Sequence, residues 1–108
     1  MAKHSDVVLT VYKENWEEFV KTHKDNIFAR CAKVTEYSTT NIINVSWDFV
    51  KWYTKNDCID EILTYFDEHD SIVTTLDEDN TLHQEDCIKD DDALSEFWDY
   101  APQVKLVV

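Results

Sequence analysis

The chain has 108 residues, 44% of them hydrophobic and 13% aromatic, and a net charge of −13. That length suits one domain, and that apolar content excludes general disorder. No apolar run approaches the ~18 residues of a membrane span, and the opening MAKHSDVVLTVY lacks the layout of a signal peptide, so a cytoplasmic protein is expected.

The element pattern begins with Asp6–Tyr12, rich in β-branched residues and read as a strand. Asn15, with Glu18 three residues on, resembles a capping box, and Trp16, Phe19 and Val20 share a helical face, so a helix is expected from about Trp16 to Lys24. Residues 28 to 53 read as a hairpin turning near Ser38–Asn41. Its first arm places Phe28, Ala32 and Val34 on one face and Ala29, Cys31 and Tyr37 on the other. Its second arm alternates Ile43, Val45, Trp47 and Phe49 with Asn44, Ser46 and Asp48, the period of a half-buried strand. Trp52 falls on the face opposite Trp47 and Phe49. A rival reading extends the first helix through Cys31 to Val34.

The clearest helix follows Asn56 or Asp57 as cap, with Ile59, Ile62, Leu63 and Phe66 forming a core stripe. Its last turn is acidic from Asp67 to Asp70, against the helix dipole. Residues 71 to 90 read as two short strands around a turn at Asp79–Asn80. Asp91 or Asp92 then caps a short helix with Leu94, Phe97 and Trp98 on its apolar face, Pro102 ends it, and QVKLVV reads as a final strand. The order β-α-β-β-α-β-β-α-β predicts a single α+β domain: an antiparallel sheet with about three helices packed on it.

Charge divides along this order. Residues 1–56 carry eight Lys/Arg and seven Asp/Glu, a net +1. Residues 57–108 carry two lysines and sixteen acids, a net −14. Solubility is served by a net charge of roughly 2–8 in a small domain, and more than that adds self-repulsion. Such a surface repels nucleic acid and anionic membrane and attracts basic proteins, with strong salt dependence.

Motifs for chemistry are absent. The chain has no glycine, which excludes phosphate-cradling loops, dinucleotide fingerprints and the EF-hand loop, and leaves turns to Asn, Asp and Ser. Cys31, Cys58 and Cys87 are odd in number and widely spaced, so neither a disulfide framework nor a zinc knuckle is indicated. His69, His83, Asp86 and Cys87 are candidate metal ligands, but His83 and Cys87 on a strand stand ~13 Å apart. The acidic pairs lack the contrasting environments that separate a general acid from a base. Trp47, Phe49, Trp52 and Tyr53 lack the basic groove of a base-stacking platform. No enzyme activity, cofactor or metal is expected.

The expected interface is therefore acidic: Asp67, Glu68, Asp70, Asp77, Glu78, Asp79, Glu85, Asp86, Asp90, Asp91, Asp92, Glu96 and Asp99. DNA shows one phosphate per ~3.4 Å of each strand. Same-face strand residues repeat at ~6.6 Å and helix neighbours at ~6 Å, so two acidic elements side by side approach that density. Asp77 and Asp79 are expected on one strand face, with Glu85 and the later acids extending the array. Carboxylates accept bidentate hydrogen bonds from arginine much as phosphates do.

In size, acidity and lack of catalytic motifs the chain resembles the small acidic inhibitors of phages and mobile elements. Some of those are DNA mimics that block restriction enzymes, CRISPR effectors or RNA polymerase. It is similar, too, to acidic immunity proteins that neutralise basic nucleases. The resemblance implies a non-enzymatic inhibitor occupying the basic groove of a nucleic-acid-binding protein. The alternative is a regulatory or accessory subunit whose interface is aromatic, around Trp52, Tyr53 and Trp98. Homodimerisation is left open.

Overall fold

A computed structural model describes residues 4–53, 55–89 and 91–101. Nine elements follow in order: β1 (Ser5–Tyr12), α1 (Lys13–Thr22), α2 (Ile27–Cys31), β2 (Lys33–Thr35), β3 (Ile42–Val50), α3 (Asp57–Asp67), β4 (Ser71–Asp77), β5 (Leu82–Cys87) and α4 (Asp91–Tyr100). The strands form one antiparallel sheet in the order β2-β3-β1-β4-β5. The α+β class holds, with four helices among the described residues. Asp91 and Asp92, expected as caps, lie inside α4, which opens at Asp91; Asp90, Pro102 and the expected last strand lie outside the described residues.

β1 is central, and both of its faces are covered. Val7, Leu9 and Val11 point to one face, with Ile43, Val45 and Trp47 of β3 beside them. Trp16 and Phe19 of α1, Ala29 of α2, and Ile62 and Phe66 of α3 cover that layer. The rings meet at 5–7 Å spacings within reach of favourable aromatic geometry: Trp16 and Trp47 edge to face at 6.2 Å, Phe19 tilted against Tyr65 at 5.2 Å. On the second face, Ile42 and Ile72 receive Ala93, Phe97 and Ala101 from α4 and the segment after it, and Tyr12 meets Phe97 edge-on at 4.8 Å. Two of the polar residues buried on this face, Thr10 and Asn44, satisfy one another. Thr10 donates to Asn44 at 2.6 Å, and Asn44 Nδ2 donates to the Tyr37 hydroxyl and the Tyr100 carbonyl, both at 2.8 Å. Unpaired, each such group would cost about 1–3 kcal/mol.

Three expectations are corrected. First, the Asn15 capping box does not form. α1 starts at Lys13 directly from β1, and the Lys13 amide donates to the Asn41 carbonyl at 2.7 Å, so a loop supplies what a side-chain cap would. Second, the expected first hairpin arm is mostly helix. Asn26 caps α2, accepting from the Ala29 amide at 3.0 Å, and donates to Cys58 O at 2.9 Å and Glu61 Oε1 at 3.0 Å. One buried side chain thus starts α2 and ties it to α3, leaving only Lys33–Thr35 as strand. The rival long helix is also excluded, because α1 and α2 are separated by a turn at Lys24–Asp25.

Third, Phe49 is not core, and Trp52 is not opposite Trp47. The register passes from Val7↔Trp47 to Ser5↔Val50, so Asp6 faces both Asp48 and Phe49. This bulge holds Phe49 at φ 52, 65% exposed, with its amide donating to Asp6 Oδ1 at 2.8 Å. A residue with a Cβ costs roughly 1–2 kcal/mol in that left-handed region. The extra residue inverts the alternation, so Val50 and Trp52 join the face of Trp47; the two indole rings lie 5.2 Å apart. In a chain without glycine the β4–β5 turn uses Asn80 at φ 65, the expected kind of substitute.

α3 matches its expectation closely. Asn56 caps it through Cys58 N at 2.9 Å, and Ile59, Ile62 and Phe66 are buried while Leu63 is half-buried. Its acidic last turn has local compensation. Lys89 Nζ donates to the Glu68 carbonyl at 3.1 Å, bringing a cation to the negative end of the helix, and the Lys89 amide donates to Asp70 Oδ1 at 2.8 Å.

Candidate protein-docking surface

The strand order converts the division of charge along the chain into a division in space. β2 and β3 come from the nearly neutral half and form one edge. β4 and β5, from the acidic half, form the other edge. α3 flanks that edge on the first face, and α4 leaves it to cross the second.

The acids fall into two regions at opposite ends of β4, six residues or ~20 Å apart. Asp67, Glu68 and Asp70 close α3 at the Ser71 end. Glu85 and Asp86 stand beside them on β5, opposite Val73 and Ile72, so they point to different faces of the sheet. A groove of about 350 Å³ runs between α3 and β5, lined by Asp60, Leu63, Asp67, Val73, Glu85 and Cys87. From there the chain enters α4, where Asp92, Glu96 and Asp99 are exposed. The carboxylates therefore wrap the β5 edge from one face to the other. Glu96 carries the charge as far as Thr40, whose hydroxyl donates to it at 2.7 Å.

The second region is the hairpin tip. Asp77 ends β4, while Glu78 and Asp79 belong to the turn. Asp77 and Asp79 do not share a strand face as expected. Asp79 Oδ1 accepts from the Thr81 amide at 3.1 Å and fixes the turn instead. Asp77 accepts from Ser5 Oγ at 2.7 Å, and Glu78 accepts from the His4 amide and lies 2.8 Å from His4 Nδ1.

These bonds sort the acids. Asp70, Asp77, Glu78, Asp79 and Glu96 serve the fold as well as the surface. The side chains of Glu68, Glu85, Asp86 and Asp99 enter no hydrogen bond or ion pair within the described residues, so their carboxylates are available to a partner. Sequence could not separate most of them, because the distinguishing contacts apart from that of Asp79 are long-range, among them Ser5 with Asp77, His4 with Glu78 and Thr40 with Glu96.

No protein-family model, curated protein or solved structure matches this chain. The surface must speak through its own chemistry. The thiol of Cys87 is pushed above its ordinary range by burial and then by the Asp67 carboxylate, and it donates to the Asp67 carbonyl at 2.9 Å. A protonated, hydrogen-bonded thiol beside carboxylates is a poor nucleophile. β5 includes both His83 and Cys87 as a strand, and no group of three or more His, Cys, Asp or Glu side chains suited to a metal is found among the described residues. The aromatic surface considered from sequence divides: Trp52 packs with the first-face core and Trp98 with the second, so the two do not form one patch. Cys31 is exposed, while Cys58 and Cys87 are half-buried.

Proposed function

We propose that this protein is a non-enzymatic acidic interaction protein that docks in the basic, nucleic-acid-binding groove of a partner protein and blocks it. The supporting observation is the strand order, which brings Asp67, Glu68, Asp70, Glu85 and Asp86 together at the β5 edge, with the acids of α4 continuing across the second face as far as Glu96 beside Thr40. Carboxylates on both faces of one edge suit a concave, arginine- and lysine-lined cleft that closes around them. Association would release counterions from both surfaces and weaken as salt rises. The phage-type anti-defence or transcription inhibitors named above act in this way, and the reading places the protein in the cytoplasm with such a target. No described helix is long and apolar enough to cross a membrane.

The test is capture of a partner from a lysate containing nucleases and polymerases, at low and high salt, with wild type and with E68Q/E85Q/D86N/D99N. Support requires capture at low salt that duplex DNA competes away and that the four-site variant loses while keeping its circular dichroism. Capture that is indifferent to salt and DNA, and equal in the variant, sinks the reading.

A further inference from the structure

Phe49 is out of place as a folding residue. Its backbone sits in the left-handed region at φ 52, yet the side chain is 65% exposed. Asn80 shows what this chain otherwise puts at such a conformation. The bulge itself needs only the Phe49 amide, which Asp6 holds. One face of the ring stacks on His4 at 4.1 Å and an interplanar angle of 10°, so the exposure belongs to the rest of the ring. Strained positions with outward-facing bulk are characteristic of recognition sites, where the return comes from a ligand.

The ring borders a cleft of about 380 Å³ together with His4, Asp6, Leu76, Asp77 and Glu78. Three carboxylates surround it, and each is held in place: Asp6 by the Phe49 amide, Asp77 by Ser5, and Glu78 by His4. A positioned aromatic ring beside fixed carboxylates suits a planar cation. A guanidinium stacks on an aromatic face and donates in its own plane to carboxylates, whereas an ammonium is a compact, strongly hydrated charge without a flat face. A nucleobase would use the ring, but its phosphates would meet Asp6, Asp77 and Glu78.

We propose that Phe49 and this cleft receive an arginine side chain of the partner protein. The inference rests on the acidic docking reading and deepens it, making the hairpin-tip end selective for arginine where the β5 edge responds to charge alone.

Two matched probes test this: acetylated, amidated peptides with six alternating Arg-Gly or six alternating Lys-Gly units. Each is titrated at low salt into the intact protein, with binding read by calorimetry and by amide shifts at His4 and Phe49. The arginine peptide is expected to bind roughly two- to fivefold more tightly. Phe49→Leu and Phe49→Gly should both erase that preference while leaving equal residual binding of the two peptides. Phe49→Gly should also hold or raise the melting temperature, since it relieves the backbone. Equal binding of the two peptides by wild type, or a preference that survives Phe49→Leu, overturns the arginine site but leaves the docking reading standing. Binding of neither peptide overturns both. A salt-insensitive dimer that becomes monomeric in Phe49→Leu also overturns it, assigning the ring to a second copy of the chain.

Discussion

The two sides of the sheet solve different problems. On the β2 side, charges pair within the fold. Lys13 lies 2.6 Å from Glu36 and 3.9 Å from Glu17, and β2 contributes only three residues before the chain turns. On the β5 side a six-residue edge strand carries Glu85 and Asp86 outward, and the nearest described cation of that half, Lys89, is already committed to the end of α3. A charged edge strand guards against strand addition by another chain. That protection needs one or two charges. The side chains of Glu68, Glu85, Asp86 and Asp99 enter no hydrogen bond or ion pair among the described residues, and this is the surplus that the proposed docking to a basic partner would use.

The largest effect should appear when that surplus is removed. E68Q/E85Q/D86N/D99N is expected to weaken partner capture by more than about tenfold at low salt. R30Q/K33Q/K51Q on the opposite side should leave capture within about twofold. Equal losses in both variants, measured by the same pull-down, would erase the contrast between the sides.

Next comes the link that organises the neutral side. Asn26→Ala removes the cap of α2 and two bonds to α3, and is expected to lower stability by about 2–3 kcal/mol in urea unfolding. A loss as small as that of an ordinary surface change would show that α2 is held by packing alone.

Salt should separate folding from docking in opposite directions. Screening relieves self-repulsion on the acidic side, so the melting temperature is expected to rise by roughly a few degrees between low salt and 0.5 M, while partner binding falls. The rise should shrink in the four-site acidic variant. A melting temperature flat in salt would mean that the acids are too dispersed to repel.

The smallest effect concerns proton linkage. The Cys87 thiol is raised above its ordinary 9.0, chiefly by burial and then by Asp67, so the native state holds this proton more tightly than the unfolded chain. Its contribution is full below about pH 9 and is lost as pH rises through the raised value. Lys13, raised by its hydrogen bond with and the charge of Glu36, adds a loss of the same sign at higher pH. Melting curves from pH 8 to 10.5 should fall less steeply in Cys87→Ala. At pH 8, alkylation should reach exposed Cys31 before Cys87.

Local patterns foretold much of this fold. The stripe Ile59, Ile62, Phe66 and the cap Asn56 mark α3 without help from the rest of the chain, and the alternation Ile43, Val45, Trp47 marks β3 as far as the bulge. Asn26 does not show as a cap in the sequence because Ile27–Cys31 is too short for helical periodicity. Its cap matters through contacts with Cys58 and Glu61, more than thirty residues away. Strict alternation puts Trp52 on the wrong face because it has no means of anticipating an extra residue at Phe49. Among the acids, composition identified the half of the chain that carries the charge but could not distinguish Asp79, which fixes a turn, from Asp86, which does not.

Sequence alone determined the amount and sign of the charge, the absence of glycine-dependent chemistry, and the α+β pattern, because each depends on residue type or on neighbours within a few positions. The tertiary structure decided that acids gather at both ends of the β4–β5 pair, that Asp70, Asp77, Glu78, Asp79 and Glu96 are tied into the fold, and that a strained phenylalanine stands beside three fixed carboxylates. Those outcomes depend on strand order and register, which bring together residues seventy positions apart and are set by the whole chain packing at once.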